Sequence, residues 1–239
     1  MKILAIDSSS VVATVALVED EKLLAEYSVN HKKTHSQTLL PMIDEIMKMS
    51  ETDINTLDAI AVSGGPGSFT GLRIGSATAK GLALVINKPI IHIPTIDGLA
   101  YNMYGSSKLV CPIMDARRNQ VYTGIYHFED NRLVADIPQY QEDINTLIEI
   151  LNEKDLPVVF LGDGVDTYRE TISHNIKVPY EFAPVHMNMQ RAASIAALSE
   201  QYYIEKKTVS ANEHQPDYLR KSQAERELEE KHNMQKIIQ

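Results

Sequence analysis

The sequence lacks the residues that would make a disulfide-stapled or membrane-spanning protein. Its 239 residues include a single cysteine, Cys111, so no internal disulfide can form, as is usual in a reducing compartment. No segment approaches the roughly 20 consecutive apolar residues of a transmembrane helix. Asp7 also interrupts the short apolar run at the amino terminus that would otherwise begin a signal peptide. We therefore expect a soluble cytoplasmic protein with no membrane contact.

Tryptophan is absent and basic residues are outnumbered. With 23 Lys and Arg against 32 Asp and Glu, the formal net charge is −9. Proteins that bind nucleic acid unaided derive most of their affinity from basic side chains that neutralise phosphates. The charge balance therefore argues against an independent nucleic-acid-binding protein, although it is compatible with a role beside a basic partner.

The hydrophobic pattern of the first hundred residues predicts three strands followed by alternating helices and strands. Segments rich in β-branched residues predict strands, and segments with apolar residues at helical spacing predict helices. This order is that of the ribonuclease H-like lobe found in actin, Hsp70 and sugar kinases. The predicted strands cover 2–7, 11–18, 22–29, 57–63 and 89–93, and the predicted helices cover 35–49, 70–86 and 95–103.

The pattern partly restarts after residue 104, with shorter elements and no glycine-rich loop. We therefore predict an α/β protein of two ribonuclease H-like lobes, the second of them reduced. The predicted first lobe is 1–104, the second is 105–188, and an alanine-rich helix at about 189–206 returns to the first lobe. Residues 221–239 read as a charged tail.

A glycine-rich motif, SGGPGSFTGLRIG, spans 63–75 between a predicted strand and a predicted helix. Free N–H groups at the start of such a helix can hold a phosphate. A tight strand-to-helix turn without a ligand is equally compatible with the motif. Asp7 and Ser8 end the first strand, where an actin-like fold faces nucleotide phosphates. The candidate nucleotide site is therefore Asp7, Ser8, Gly65, Gly67 and Ser68.

Three small residues, Gly71, Gly75 and Ala79, lie four positions apart and form a strip along one side of the predicted helix. Such a strip lets another helix approach closely. It can serve either a subunit interface or packing on the chain's own sheet. Arg73 lies off the strip, where it is expected to be exposed.

No metal site or catalytic site is predicted. His31 and His35 are four apart, but no Glu lies between them, two lysines are adjacent, and the helix begins near His35. No G-x-S-x-G motif is present, and Cys111 has no neighbouring ligand at metal-binding spacing.

Four segments resemble the TsaB (YeaZ) family, whose members are partner subunits in making N6-threonylcarbamoyladenosine at position 37 of tRNA. The match covers nearly the whole first lobe in order and returns near the carboxyl end. It includes the long and specific stretch GGPGSFTGLRIG, whereas residues 105–205 match in outline only. The segments are ILAIDSSSVVATVALV (3–18), THSQTLLPMID (34–44), LDAIAVSGGPGSFTGLRIGSATAKGLA (57–83) and PDYLR (216–220).

The resemblance implies a heterodimer with the paralogue TsaD, joined by the ATPase TsaE. It also implies a homodimer when TsaD is absent, and contact with tRNA only through the complex. No cofactor of its own is expected, although ATP or ADP can be expected at the subunit joint. The helices around 39–47 and 70–83 are expected to pair with TsaD. The implied partner interface includes His35, Leu39, Gly71, Arg73, Gly75 and Ala79.

The resemblance also implies a difference between this chain, as a partner subunit, and the enzyme TsaD. In TsaD a His-x-x-x-His pair helps to bind the catalytic metal, and the corresponding residues here, 95–101 (TIDGLAY), contain no His. A single carboxylate such as Asp7 does not provide enough ligands for the metal ion of a metal-dependent transfer. We therefore expect a subunit that is not an enzyme on its own.

Two other functions remain open from the sequence. A small-molecule kinase of the actin-like superfamily would need a second phosphate-binding turn, for which Leu161-Gly162-Asp163-Gly164 is the only candidate. A self-associating scaffold or regulator would need no TsaD. A peptidase ranks last, because the sequence has no evident nucleophile–base pair.

Overall fold

The computed structural model describes residues 1–31 and 34–219, and within them it shows two five-stranded sheets. The charged tail expected at 221–239 lies outside the described residues. The first sheet has the order β3-β2-β1-β4-β5, with β1–β3 antiparallel and β4 and β5 parallel to β1. Its strands are β1 (Lys2–Asp7), β2 (Val12–Glu19), β3 (Lys22–Asn30), β4 (Ala59–Gly65) and β5 (Ile90–Pro94).

Helices cover both faces of the first sheet. Successive side chains of a strand point to opposite faces, so Leu4 and Ile6 of β1 pack toward α1 and α2, whereas Ile3 and Ala5 pack toward α6. Strands buried on both sides are nearly continuous apolar runs, as in VATVALV of β2, where Thr14 is the one polar residue and its hydroxyl is hydrogen-bonded. The helices are α1 (His35–Met49), α2 (Phe69–Ile86), the short α3 (Thr95–Ala100) and α6 (Ala192–Ile204).

The second sheet repeats the plan with the order β10-β9-β6-β7-β8. Its helices have 11 and 12 residues, against 15 and 18 in α1 and α2, so this lobe is the reduced one. The fold class is thus α/β with two ribonuclease H-like lobes. The elements are β6 (Leu109–Asp115), β7 (Gln120–Glu129), β8 (Arg132–Asp143), α4 (Ile144–Lys154), β9 (Val158–Leu161), α5 (Gly164–Asn175) and β10 (Tyr180–Phe182).

The chain passes from the first sheet to the second between Met103 and Leu109. Near this passage, Asp97 of α3 accepts hydrogen bonds from Tyr126 of β7 at 2.7 Å and from Tyr202 of α6 at 3.4 Å. The burial of this carboxyl raises its pKa. One carboxyl group therefore ties together helices α3 and α6 and the second sheet. The separate domain limits 1–104 and 105–188 stay a prediction.

Helix α1 begins and ends where the sequence places it, but one of its residues differs from expectation. Pro41, the seventh residue of the helix, lies on the exposed side. Leu39, predicted at the partner interface, is 1% exposed and packs in the core of the first lobe. That assignment of Leu39 was wrong, because the apolar side of α1 covers the chain's own sheet.

The small-residue strip of α2 also faces inward. A Cβ atom added at Gly71 would lie 2.0 Å from the Ser8 carbonyl oxygen, and one at Gly75 would lie 2.5 Å from Ser8 Oγ. Ala79 is fully buried in the same core as Leu39. The prediction that Gly71, Gly75 and Ala79 contact a partner was therefore wrong. They permit α2 to pack against the β1–β2 turn and β4.

The opposite side of α2 carries a second row of small and apolar residues that faces solvent. Ala77, Gly81 and Val85 lie four apart, and Val85 is 83% exposed. A Cβ added at Gly81 would meet nothing within 4 Å. Arg73 begins this row, with its guanidinium 4.1 Å from the centre of the Phe69 ring. Arg73 is thus exposed, as the sequence predicted.

The two sides of α2 should respond oppositely to one added methyl group. Gly71→Ala should lower the free energy of unfolding by about 3 kcal/mol, because the new Cβ collides with the backbone of Ser8. Gly81→Ala should raise it by about 0.5–1 kcal/mol, because alanine favours a helix and the position is open. Urea unfolding measures both. Equal effects of the two changes would contradict the orientation of α2.

Candidate functional site

The candidate site lies where β1 and β4 end side by side, at one edge of the first sheet. The β1–β2 turn and the loop between β4 and α2 meet there. The Ser68 N–H donates to the Ser9 carbonyl at 2.6 Å, and Ser8 Oγ donates to the Gly71 carbonyl at 2.9 Å. The Ser68 side chain caps α2 by accepting from the Gly71 N–H. The start of α2 is therefore fastened to the chain's own turn.

Glycine is required in this loop because backbone lies against backbone. A Cβ on Gly67 would lie 2.4 Å from the Ser9 carbonyl oxygen. Gly65 has a φ of +120°, and its Cβ would lie 2.2 Å from the Asp217 carbonyl oxygen. The glycines thus allow close approach within the chain.

The segment 208–218, which we call the strap, covers the glycine loop from outside. Val209 and Ile90 exchange two backbone hydrogen bonds of 2.9 Å, and the Asp217 N–H donates to the Gly64 carbonyl at 2.7 Å. The Tyr218 ring lies 4.7 Å from that of Phe69. The strap contains most of the PDYLR segment, whose Arg220 lies outside the described residues.

Two histidines meet where the strap packs on β5: His92 belongs to β5 and His214 to the strap. His92 Nε2 is 3.1 Å from Asp217 Oδ2, and the ring of His214 lies 5.4 Å from that of His92. His214 is buried, which lowers its pKa to about 4, with further lowering by His92 and Lys80. These residues carried no signal in the sequence, because the contacts join segments more than 100 residues apart.

The five residues predicted to hold a nucleotide do not form an open phosphate cradle in this chain. Asp7, Ser8 and Gly65 are buried, and only Gly67 and Ser68 reach the surface. The tight-turn alternative describes the loop better. The binding of ATP or ADP at a joint with another subunit stays a prediction.

Asp7 is a buried carboxyl with few stabilising partners. Its Oδ1 accepts from the Ser9 N–H at 2.7 Å. Burial raises its pKa from 3.8 to about 6, against the opposing effect of hydrogen bonds from Ser9 and Ser63 and of the nearby His35. Asp7 therefore contributes to the interior of the fold rather than to an exposed metal-binding edge.

His35, predicted at the partner interface, is half-buried and reaches back from α1 to the β1–β2 turn. Its Nε2 lies 2.8 Å from the Ser10 carbonyl oxygen. From the other side, Ser10 Oγ donates to Gln190 Oε1 at 2.8 Å. The turn is thus held between α1 and the segment before α6. Gln190 gave no sequence signal, since nothing local marks a contact across 180 residues.

The second-lobe turn required by a kinase is a compact strand-to-helix connection. Gly162 has a φ of +105°, and a Cβ there would lie 2.2 Å from the Ile113 carbonyl oxygen. Its N–H donates to Asn188. The Gly162–Gly164 turn is therefore also packed on the chain itself.

Within residues 1–31 and 34–219, no group of three or more His, Cys, Asp or Glu side chains is arranged to hold a metal ion. None of the helices in that part of the chain is both long enough and apolar enough to cross a bilayer.

Two ribonuclease H-like lobes with the glycine loop at a sheet edge define a protein of the actin-like ATPase-fold class. A family model described as "TsaD: tRNA N6-adenosine threonylcarbamoyltransferase" matches residues 22–228. YeaZ from Pseudomonas aeruginosa has a similar fold, with a TM-score of 0.79 and 24% identity over 91% of this chain and 99% of that one.

Curated relatives identify the family more narrowly. The tRNA threonylcarbamoyladenosine biosynthesis protein TsaB of Bacillus subtilis is 34% identical over 94% of this chain and 96% of its own length. The protein of the same description from Escherichia coli is 29% identical over 95% and 98%. The chain belongs to the TsaB (YeaZ) family.

The buried carboxyl of Asp7 should make stability depend on pH. Between about pH 4 and 6 the folded protein retains a proton that the unfolded chain releases, so rising pH favours unfolding through this window. Asp7→Asn removes this dependence. The variant's stability relative to the unmodified chain should therefore increase from pH 4 to 6, by up to about 3 kcal/mol, and stay level above pH 6.

Urea unfolding at several pH values measures the difference in free energy of unfolding between Asp7→Asn and the unmodified chain. Asp130→Asn, at an exposed turn with a φ of 48° that asparagine tolerates, is the control. If the stability difference for Asp7→Asn changes with pH no more than that for Asp130→Asn, the raised pKa of Asp7 is refuted.

Proposed function

We propose that this chain is a non-catalytic partner subunit that binds TsaD and activates it for threonylcarbamoyl transfer to adenosine 37 of tRNA. The observation that carries the proposal is an exposed apolar surface on the first lobe of a chain whose own candidate site is filled. We call this surface the outer α1–α2 face and define it by Leu40, Ala77, Gly81, Leu84 and Val85.

The outer α1–α2 face has the properties of a helix-docking surface. Leu40 is 55% exposed and Leu84 is 56% exposed, although both are large and apolar. Helices α1 and α2 also contact each other. Small residues at Ala77 and Gly81 leave room for the backbone of another helix. Exposed apolar patches of this kind mark protein interaction sites.

The absence of catalysis is supported by the state of the carboxyl groups at the first lobe. Asp7 is buried and is held by Ser9. Asp97, in the segment that corresponds to the metal-binding helix of TsaD, is occupied by Tyr126 and Tyr202. Neither group is free to position a metal-bound substrate, so the transfer chemistry belongs to TsaD.

Activation then follows from docking. A rigid first lobe that packs its outer α1–α2 face on the equivalent helices of TsaD would hold the TsaD lobes in their active arrangement. TsaE joins this pair, and tRNA is reached through the complex. A second copy of this chain occupies the same face when TsaD is absent, so a homodimer is the resting form.

The proposal is tested by reconstitution. The chain, TsaD, TsaE, unmodified tRNA, ATP and threonylcarbamoyl-adenylate are combined, and modified adenosine is quantified with each protein omitted in turn. We expect product only when this chain and TsaD are both present. Equal product without the chain would contradict the proposal, and product from the chain alone would show that it is an enzyme.

The docking surface gives a sharper prediction. Gly81→Arg and Val85→Arg should each weaken binding to TsaD by about tenfold or more, because a charged side chain in an apolar helix contact is left unpaired. Both positions are exposed and arginine favours a helix, so folding should be preserved.

Val185→Arg is the matched control, because Val185 is 92% exposed and lies in the second lobe. Binding is measured by titration calorimetry. If all three variants bind TsaD equally well, the docking surface lies elsewhere. A loss of the homodimer together with TsaD binding would support one shared face.

A further inference from the structure

The turn between β6 and β7 presents two adjacent arginines in an unusual backbone conformation. Arg117, Arg118 and Asn119 have φ angles of 65°, 57° and 59°, so three consecutive residues are left-handed. Asparagine tolerates this region, but long side chains seldom occupy it. All three residues are exposed. Conformations of this kind are held only where the surroundings enforce them, and they cluster at functional sites.

Among the described residues, hydrogen bonds to the backbone of the turn, and none to its arginine side chains, hold it in this conformation. Asp115 Oδ1 accepts from the Arg117 N–H at 2.8 Å and from the Tyr168 hydroxyl at 3.1 Å. The Gln120 N–H donates to the Arg117 carbonyl, and the Ile144 N–H donates to the Asn119 carbonyl at 2.9 Å. A rigid backbone therefore carries both arginine side chains.

Neither guanidinium group is used inside the described part of the chain. Among residues 1–31 and 34–219, the side chains of Arg117 and Arg118 make no hydrogen bond, ion pair or ring contact. By contrast, Arg73 and Arg169 stack on phenylalanine rings, and Arg191 pairs with Glu26. The hydrogen bonds that Asp115 and Asp163 accept here come from the Arg117 and Asp115 N–H groups and from the Tyr168 hydroxyl, and no guanidinium group of the described residues donates to them.

The position of the turn is informative because the two sheets repeat one plan. Asp115 ends β6 as Asp7 ends β1, and each is followed by a turn into an antiparallel strand. In the first lobe this turn is Ser8-Ser9-Ser10, buried beneath other residues. In the second lobe it projects two cations into solvent. The same place in the fold is therefore internal in one lobe and outward in the other.

We propose that Arg117 and Arg118 bind backbone phosphates of the RNA substrate when this chain is part of its complex. This inference rests on the proposed function. Guanidinium groups match phosphate oxygens as a planar fork, and two adjacent groups on a rigid turn suit the successive phosphates of a nucleic-acid strand. Phosphate contacts position a protein on its nucleic acid. The net charge of −9 explains why the partner must supply most of the affinity.

An RNA partner fits better than an acidic protein surface. The outer α1–α2 face, proposed to bind TsaD, belongs to the first lobe, whereas the arginine turn belongs to the second sheet. Docking of TsaD on α1 and α2 therefore does not require this turn.

The test measures binding of unmodified tRNA to the assembled complex by fluorescence anisotropy over a series of salt concentrations. The variant is Arg117→Asn with Arg118→Asn, because asparagine accepts the left-handed backbone and removes both charges. The control is Lys177→Asn with Lys206→Asn, which removes two exposed charges elsewhere, one of them also at a positive φ, 59°. Size-exclusion chromatography checks assembly, and ADP binding to the complex is titrated separately.

We expect the arginine variant to assemble normally, to bind tRNA about tenfold or more weakly at low salt, and to lower the salt slope by about 1.4–1.8. The lysine control should change neither. An unchanged salt slope in the assembled arginine variant overturns the inference alone. Loss of assembly, or loss of ADP binding with tRNA binding intact, also overturns it, because the arginines would then serve a protein or a free nucleotide. Failure of the unaltered chain to assemble with TsaD overturns the proposed function together with the inference.

Discussion

The structure of the first lobe depends on the close approach between the β1–β2 turn and the start of α2. Ser8 and Ser9 present carbonyl oxygens where Gly67 and Gly71 have no side chain, so turn and helix touch backbone to backbone. This contact sets the position of α2 over β1 and β4, and thereby determines which of its sides faces solvent. A side chain at either glycine would move the helix away from the sheet. The part of the outer α1–α2 face that α2 contributes follows from this contact.

The same contact explains how an actin-like lobe can lack an open nucleotide site. In such a fold the strand-end carboxyl and the glycine loop border a cleft, but here the chain fills that space with itself. Asp7 is enclosed, His35 and Gln190 hold the adjacent turn from two sides, and Asp217 occupies the space beside Gly65. A pKa of about 6 for Asp7 is the electrostatic result of this closure. The glycines of this loop therefore serve close packing within the chain.

The two lobes expose different kinds of side chain. The first lobe exposes apolar side chains on α1 and α2, where helix packing can bury them. The second lobe exposes Arg117 and Arg118 on a turn whose backbone is held by hydrogen bonds at Arg117 and Asn119. Asp97, shared by Tyr126 and Tyr202, links α3 and α6 to the second sheet. Under our two proposals, TsaD binds the first lobe and the RNA phosphates bind the second.

By itself the sequence determined most elements of the first lobe, the fold class and the family. The spacing of apolar residues along the chain reflects which side of an element is buried. It therefore predicted helices at 35–49 and 70–86 and a strand at 2–7, as observed. The motif at 63–75 carried the resemblance. The sequence could not decide which side of α2 is exposed, because Gly71, Gly75 and Ala79 on one side look like Ala77, Gly81 and Val85 on the other. Nor could it show that Asp217 fills the glycine loop or that Gln190 holds the β1–β2 turn. Only the tertiary structure decided these points, because each depends on contacts between segments far apart in the chain, and no local pattern records them.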